Sequence, residues 1–162
     1  MNLHKLFLEQ LQELAGIEEV LTAGLPALVE ASSNAELQAA FAGHLKQTEM
    51  EAARLDDAST SLRLASKAGE CQPMIAMVAD ATKAAARPAG VICDLAMLGA
   101  AERIEHFEIA AYSSTISLAK TLGYGDAANL LVESLLEEQK AAEHLKKISK
   151  TLLKQAQDEV AQ

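Results

Sequence analysis

The sequence contains no tryptophan and few of the residues that build strand-rich or disulfide-stapled folds. Aromatic residues make up 3% of the 162 positions, and the three prolines are Pro26, Pro73 and Pro88. Long proline-free stretches rich in alanine, leucine, glutamate and lysine are typical of an all-helical protein. We predict one domain at residues 1–157, followed by a polar C-terminal tail at 158–162.

Basic residues are also scarce. There are 23 acidic residues against 14 basic ones, which gives a formal net charge of -9, and no dense cluster of lysine and arginine occurs. A protein that binds a phosphate backbone needs such a cluster, so we expect no nucleic-acid partner.

Long apolar runs and paired cysteines are missing as well. No 18 uncharged apolar residues follow one another, and the start of the chain does not resemble a secretory signal. We therefore expect a cytoplasmic protein with no membrane partner. Cys71 and Cys93 lack CxxC spacing, and we predict that both are reduced, packed thiols.

Apolar residues recur at helical spacing in four long segments separated by turn signals. The predicted long helices cover residues 3–31, 33–67, 91–122 and 126–155, and a shorter one covers 74–86. Short turns make two antiparallel hairpins, and one long connection joins them. This is the connectivity of a ferritin-like antiparallel four-helix bundle whose crossover contains a short fifth helix.

Local signals mark several predicted helix ends. Ser33 followed by Glu36 is a capping box for the second long helix, and Asp126 is a predicted cap for the fourth. Gly123 occupies the usual position after a helix C-terminus. Asp94 is predicted to place a favourable charge at the start of the third long helix.

Carboxylates interrupt the apolar stripe of each long helix near its middle. The second helix adds a histidine and Thr48 to the same stripe. The candidate metal ligands are Glu18, His44, Glu51, Glu105, Glu108 and Glu138.

Carboxylates that face a helical core cost several kcal/mol unless they are protonated, paired or bound to metal. Two divalent cations would nearly balance five such charges, and oxygen-rich ligation suits iron or manganese. Glu18 and Glu51 are 33 residues apart, as are Glu105 and Glu138, so the two hairpins repeat the same spacing. The sequence thus predicts a two-metal site in the bundle.

Other interpretations of these residues stay open. The acids can lie half exposed at the edge of the core, with Arg54 or Arg103 as partners for one or two of them. His44 can be a hydrogen-bonded interior histidine rather than a ligand. We expect His106 at the surface or behind the ligands, and Tyr112 in the core with its hydroxyl on a polar partner.

Several segments resemble the bacterial YciE/YciF family of ferritin-like proteins over roughly residues 5–150. The resemblance rests on Ile17-Glu-Glu19, Phe41-Ala-Gly-His-Leu45, Glu105-His-Phe-Glu-Ile-Ala-Ala-Tyr112, Leu122-Gly-Tyr124 and Leu135-Leu-Glu-Glu138. It implies a ferritin-like bundle with a di-metal centre, assembly into homodimers and an association with stress responses. Glu51 departs from that family, which more often has glutamine there, and this favours His44 as the ligand from the second helix.

Two functions compete at this stage. The first is a di-iron or di-manganese protein that binds metal and reacts with a small oxidant such as peroxide or oxygen. The second is a non-catalytic dimeric helical stress protein with a vestigial or weak metal site. The wider ferritin-like pattern would place histidine at Arg54 and Ala141, and its absence weakens the prediction of oxidase chemistry.

Overall fold

Five α-helices make up most of the computed structural model, which describes residues 2–64 and 67–160. They are α1 (Leu3–Ala31), α2 (Ala35–Ser61), α3 (Gln72–Ala85), α4 (Val91–Thr121) and α5 (Gly125–Val160). No strand occurs in these two described ranges. None of the described helices is both long enough and apolar enough to cross a membrane.

The four long helices pack in a closed ring. α1 contacts α2, α2 contacts α5, α5 contacts α4, and α4 contacts α1, while the short α3 lies against α1 and α4. Three-residue turns join α1 to α2 and α4 to α5, so each pair forms an antiparallel hairpin. The predicted all-helical bundle is confirmed, and its core runs along the inside of the ring. Both cysteines are buried free thiols, as predicted.

Two predicted helix ends were wrong. α2 ends at Ser61 rather than near Lys67, because Arg63 adopts a left-handed conformation with φ 57° and the amide of Leu64 turns back to Ser59 O at 2.9 Å. Such turns normally use glycine, so the sequence carried no signal for this one. α5 continues to Val160, beyond the predicted fade near Gln155. Gly123 ends α4 as expected, with φ 77°.

Asp94 connects the two hairpins. Its carboxylate, 2% exposed in the first turn of α4, accepts hydrogen bonds from the backbone amides of Ser33 and Asn34 at 2.9 Å each. The cap of α2 is Asn34, whose side chain accepts from the amide of Leu37, so the predicted Ser33 capping box was wrong. Asp126 is likewise no cap, because it lies within the first turn of α5.

The crossover is fastened to α1 at a contact between two glycines. The amide of Gly69 donates to Gln12 O at 2.6 Å, and a Cβ added to Gly16 would lie 1.7 Å from Gly69 O. Only glycine at position 16 permits this approach. Gly16 lies two residues before Glu18, so the crossover packs against α1 close to the candidate site.

We predict that Asp94→Ala destabilises the fold by about 2 kcal/mol, because the backbone amides of Ser33 and Asn34 lose their carboxylate acceptor. Asp94→Asn should lose less, since one acceptor oxygen remains. Urea unfolding measures both changes. The control is Asp126→Ala, an exposed first-turn acid whose loss should cost only a few tenths of a kcal/mol. Equal effects of Asp94→Ala and Asp126→Ala would contradict the role of Asp94 as a tie between hairpins.

Candidate metal centre

All six predicted ligands are buried inside the ring of long helices. His44 is the most accessible at 8% exposure, and the others are exposed by 3% or less. The alternative in which these acids lie half exposed at the edge of the core is therefore wrong. α1 carries Glu18, α2 carries His44 and Glu51, α4 carries Glu105 and Glu108, and α5 carries Glu138.

Four of the six converge tightly. His44, Glu105, Glu108 and Glu138 each offer one ligand atom, and these atoms all lie within 4.8 Å of one another. His44 Nε2 is 3.4 Å from Glu105 Oε1 and 4.0 Å from Glu108 Oε2. Neither nitrogen of this histidine makes a hydrogen bond in the described part of the chain. The imidazole of His44 is therefore close to both carboxyl groups but donates a hydrogen bond to neither.

The other two predicted ligands, Glu18 and Glu51, border this group without belonging to it. Gln47 connects Glu51 to the group, because its amide nitrogen lies 3.3 Å from Glu51 Oε1 and 3.4 Å from Glu138 Oε1. The hydroxyl of Tyr112 donates to Glu18 Oε1 at 2.5 Å. This bond confirms the prediction of a core tyrosine with a polar partner.

The buried polar atoms without a hydrogen-bond partner all belong to this site. Across residues 2–64 and 67–160 there are nine such side-chain atoms. They come from Glu18, His44, Thr48, Glu51, Glu105, Glu108 and Glu138. An unpartnered buried oxygen or nitrogen is costly, and folded proteins contain few of them. Their concentration in one place marks a site that could hold a metal ion.

The ionisation of the site follows from burial. Loss of solvent is the largest cause that raises the pKa of Glu51, Glu105 and Glu108, and the charge of Glu138 adds to it. Burial also raises the pKa of Glu18 to about 8, although the Tyr112 hydrogen bond opposes the rise. Without added positive charge, these four carboxyl groups therefore retain protons near neutral pH.

His44 and Tyr112 respond to the same environment. Burial lowers the pKa of His44, so its imidazole is neutral at pH 7, which is the form that binds metal. Burial and the neighbouring Glu18 carboxylate raise the pKa of Tyr112 far above its usual value. Tyr112 therefore keeps its proton and remains the donor to Glu18.

The expected arginine partners do not pair with these carboxylates. Both terminal nitrogens of Arg54 bind Glu137, at 2.5 and 2.8 Å, and one of them also donates to Ser134. Arg103 is exposed on α4. In the described part of the chain, Arg54 therefore affects Glu18 and Glu51 only through its charge at a distance, and neither Arg54 nor Arg103 forms an ion pair with the five acids.

A cavity of about 340 Å³ between α2 and α5 reaches the four-ligand group. His44 and Glu105 line it, together with Gln47 and Ala141. A larger groove of about 830 Å³ lies between α4 and α5 and is lined by His106 and Ala142. His106 is exposed there, so its predicted surface position is confirmed.

Sequence reasoning assigned no function to two residues of the site. Thr48 was on the buried stripe of α2, but a threonine in a helix carries no metal-ligand signal. Gln47 lies one position off that stripe, and no pattern pointed to its contacts with Glu51 and Glu138. Only the packing of α2 against α5 reveals them.

The residues present fit a divalent metal. One neutral imidazole and three carboxyl groups converge from α2, α4 and α5, and together they form a donor set that could hold a metal ion. The unpartnered atoms and the missing arginine partners are the structural observations that support this fit.

Comparisons with known proteins agree with the resemblance seen in the sequence. The chain matches the family described as "Domain of unknown function (DUF892)" over residues 2–158. It is 34% identical over 146 residues to Protein YciF of Escherichia coli (strain K12), covering 88% of this chain and 86% of that protein. The crystal structure of the E. coli stress protein YciF has a TM-score of 0.91 and 31% identity, over 94% of this chain and 98% of that chain.

Two further solved structures share the architecture. YcfI from Rhodopseudomonas palustris has a TM-score of 0.87 and 27% identity, over 90% of this chain and 94% of that chain. A protein from Xanthomonas campestris pv. campestris has a TM-score of 0.78 over 99% of this chain and all of its own length. At 15% identity, this last likeness concerns the fold alone.

The raised pKa of Glu18 predicts how the stability of chelator-treated protein depends on pH. Between the ordinary value of 4.5 and about 8, the unfolded chain loses a proton that the folded chain keeps. The free energy of unfolding should therefore fall as pH rises through this window, by on the order of 1 kcal/mol per pH unit for each such carboxyl. Denaturant unfolding at several pH values measures the slope.

Glu18→Gln should make this slope shallower, because it removes one titrating group. Its neighbour Glu19 is exposed, so Glu19→Gln is the matched control and should leave the slope unchanged. Stability that rises between pH 5 and 8 in the chelator-treated protein would contradict the prediction.

Proposed function

This chain belongs to the family described as Domain of unknown function (DUF892), and we propose that it is a ferritin-like four-helix bundle that binds two divalent metal ions, iron or manganese, in its core. The observation that carries the proposal is the set of nine buried, unpartnered nitrogen and oxygen atoms at one site. The ring of α1, α2, α5 and α4, with its long crossover, supports the ferritin-like arrangement.

The site residues divide naturally between two ions. One ion would be held by the converging group of His44, Glu105, Glu108 and Glu138. Glu18 and Glu51 border this group, and each has a free buried oxygen with which to hold a second ion beside the first. Two bound divalent cations would supply positive charge to the acids and could exchange electrons with a small oxidant.

The protein's own groups would prepare the site for metal. Tyr112 holds one oxygen of Glu18 and leaves the other free, and Gln47 holds Glu51 and Glu138 close together. The surrounding apolar side chains exclude water, which strengthens the attraction between carboxylates and cations. Arg54 stays paired with Glu137 and does not compete for the site.

A role in stress is the biological part of this proposal. The related E. coli protein YciF is described as a stress protein. A buried metal pair that a 340 Å³ cavity connects to the surface suits reaction with a small oxidant such as peroxide or oxygen. We place the activity of this chain in that class.

The competing proposal is a non-catalytic dimeric helical protein with a weak metal site. The observation that favours it is the pair of apolar side chains Met50 and Leu136, each about half exposed, on the adjacent helices α2 and α5. Association of two chains would cover such residues. Under this proposal the carboxylates contribute nothing to function, and metal content separates the two cases.

Metal analysis of protein purified without chelator tests the main proposal. We expect about two transition-metal ions per chain, and we expect Glu105→Ala and His44→Ala to lose at least one of them. Bound metal at a hundredfold excess over its Kd should add about 2.7 kcal/mol of stability, so chelator should lower the melting temperature of the parent.

The control variant is Glu49→Ala, which removes an exposed acid from α2 and should keep the full metal content. In the chelated state, Glu105→Ala should be at least as stable as the parent at pH 7, since it removes a buried acid. A parent protein that binds no metal, with a melting point indifferent to chelator, would favour the non-catalytic dimer instead.

A further inference from the structure

Thr48 has a hydroxyl with no partner. The residue lies in the middle of α2 at 0% exposure, and its Oγ1 makes no hydrogen bond within the described ranges. A threonine in a helix ordinarily bonds back to the carbonyl four residues earlier. Thr82, Thr115 and Thr121 do so in this protein, at 2.8 to 2.9 Å. Thr48 therefore differs from these helical threonines and has a free donor in the core.

Thr48 lies on the helix face that carries two of the proposed metal ligands. Thr48 lies one turn after His44 and one turn before Glu51, and all three are buried on the same face of α2. Both of these neighbours also have unpartnered atoms. The hydroxyl thus lies among groups that we assign to metal, although an alcohol is a weak metal ligand compared with the carboxylates around it.

The cavity between α2 and α5 supplies a path to this place. Its mouth contains the small residues Ala39 and Gly43 on α2 and Ala141 on α5, and its floor is formed by His44 and Glu105. Ala141 follows Glu138 by three residues, so it faces the same side of α5. Its methyl group leaves room where a larger side chain would close the approach.

The lining of the cavity restricts what can enter. The mouth also carries Lys140 and His144, which offer positive charge or hydrogen-bond donors on a protein whose net charge is -9. Half-buried Gln47 is a further donor in the lining, and the unpartnered hydroxyl of Thr48 belongs to the next residue of α2, outside the lining. Small molecules with accepting oxygen or nitrogen atoms match these donors.

We propose that the site binds a small hydrogen-bond-accepting ligand of the size of azide or peroxide, which enters between α2 and α5 past Ala141 and is held by the hydroxyl of Thr48. This inference rests on the proposed metal centre, since the cations would draw such a ligand inward. In this proposal Thr48 binds the ligand and Ala141 leaves room for its entry. Neither residue binds metal.

Azide binding to cobalt-loaded protein tests the role of Thr48. Co(II) reports its surroundings through visible absorption and requires no oxidation step, so the readout does not depend on enzymatic activity. We expect Thr48→Val to weaken azide binding about tenfold, which corresponds to the loss of one hydrogen bond to a charged partner. Thr48→Ser retains the hydroxyl and should bind azide within about twofold of the parent.

The chelated protein supplies a second readout for the same variant. Valine has nearly the shape of threonine without the unpartnered hydroxyl, so Thr48→Val should raise the melting temperature of the metal-free protein. Equal azide affinity in the parent, Thr48→Val and Thr48→Ser would overturn the assignment of Thr48 to ligand binding.

The access route is tested by filling the cavity. Ala141→Leu should slow azide association at least tenfold in stopped-flow measurements, because the larger side chain narrows the mouth. The matched control is Ala142→Leu, the same change one residue later, where the side chain lines the separate groove between α4 and α5. Unchanged association in Ala141→Leu, or equal slowing in both variants, would overturn this route.

Failure of the inference is distinguishable from failure of the metal centre. Metal content is measured first, and we expect two Co(II) ions per chain in the parent and in all four variants. A parent that takes up no cobalt would overturn both proposals. If the cobalt content is normal but the substitutions of Thr48 and Ala141 leave azide binding unchanged, only the ligand site is overturned.

Discussion

The central constraint in this structure is the electrostatic cost of placing five carboxylates and one imidazole inside a helical bundle. Burial removes the water that would stabilise their charges, and the described arginines lie elsewhere, Arg54 on Glu137 and Arg103 in solvent. The protein must either keep these acids protonated or supply cations to them. Stability, pH dependence and function are therefore coupled through a single site.

The surrounding fold resists collapse of this site. Asp94 binds the α1–α2 turn to the start of α4. The close contact of Gly16 with Gly69 holds the crossover against α1 two residues before Glu18. These contacts lie outside the polar cluster and hold the helices at a set spacing.

The two hairpins repeat the spacing of their acids, yet the site is not symmetric. At the same offset of 87 residues, His44 corresponds to Leu131 and Glu108 corresponds to Leu21. The two extra donors both belong to the tight four-ligand group. This difference places the tighter half of the site toward α2, α4 and α5, which is also where the cavity opens.

The sequence by itself determined the helices and the hairpins, because apolar periodicity and turn residues indicate where each helix lies and which face points inward, but the burial of the acids stayed open until the helices packed. It did not reveal the end of α2 at Ser61, the hydrogen bonds from the α1–α2 turn to Asp94, or the contacts of Gln47. Those depend on distances between residues far apart in the chain. Helical spacing shows which face of a helix a side chain lies on, but it does not show which residues of other helices lie next to it. Only the packing of the helices therefore decided which four ligands converge and left Thr48 without a partner.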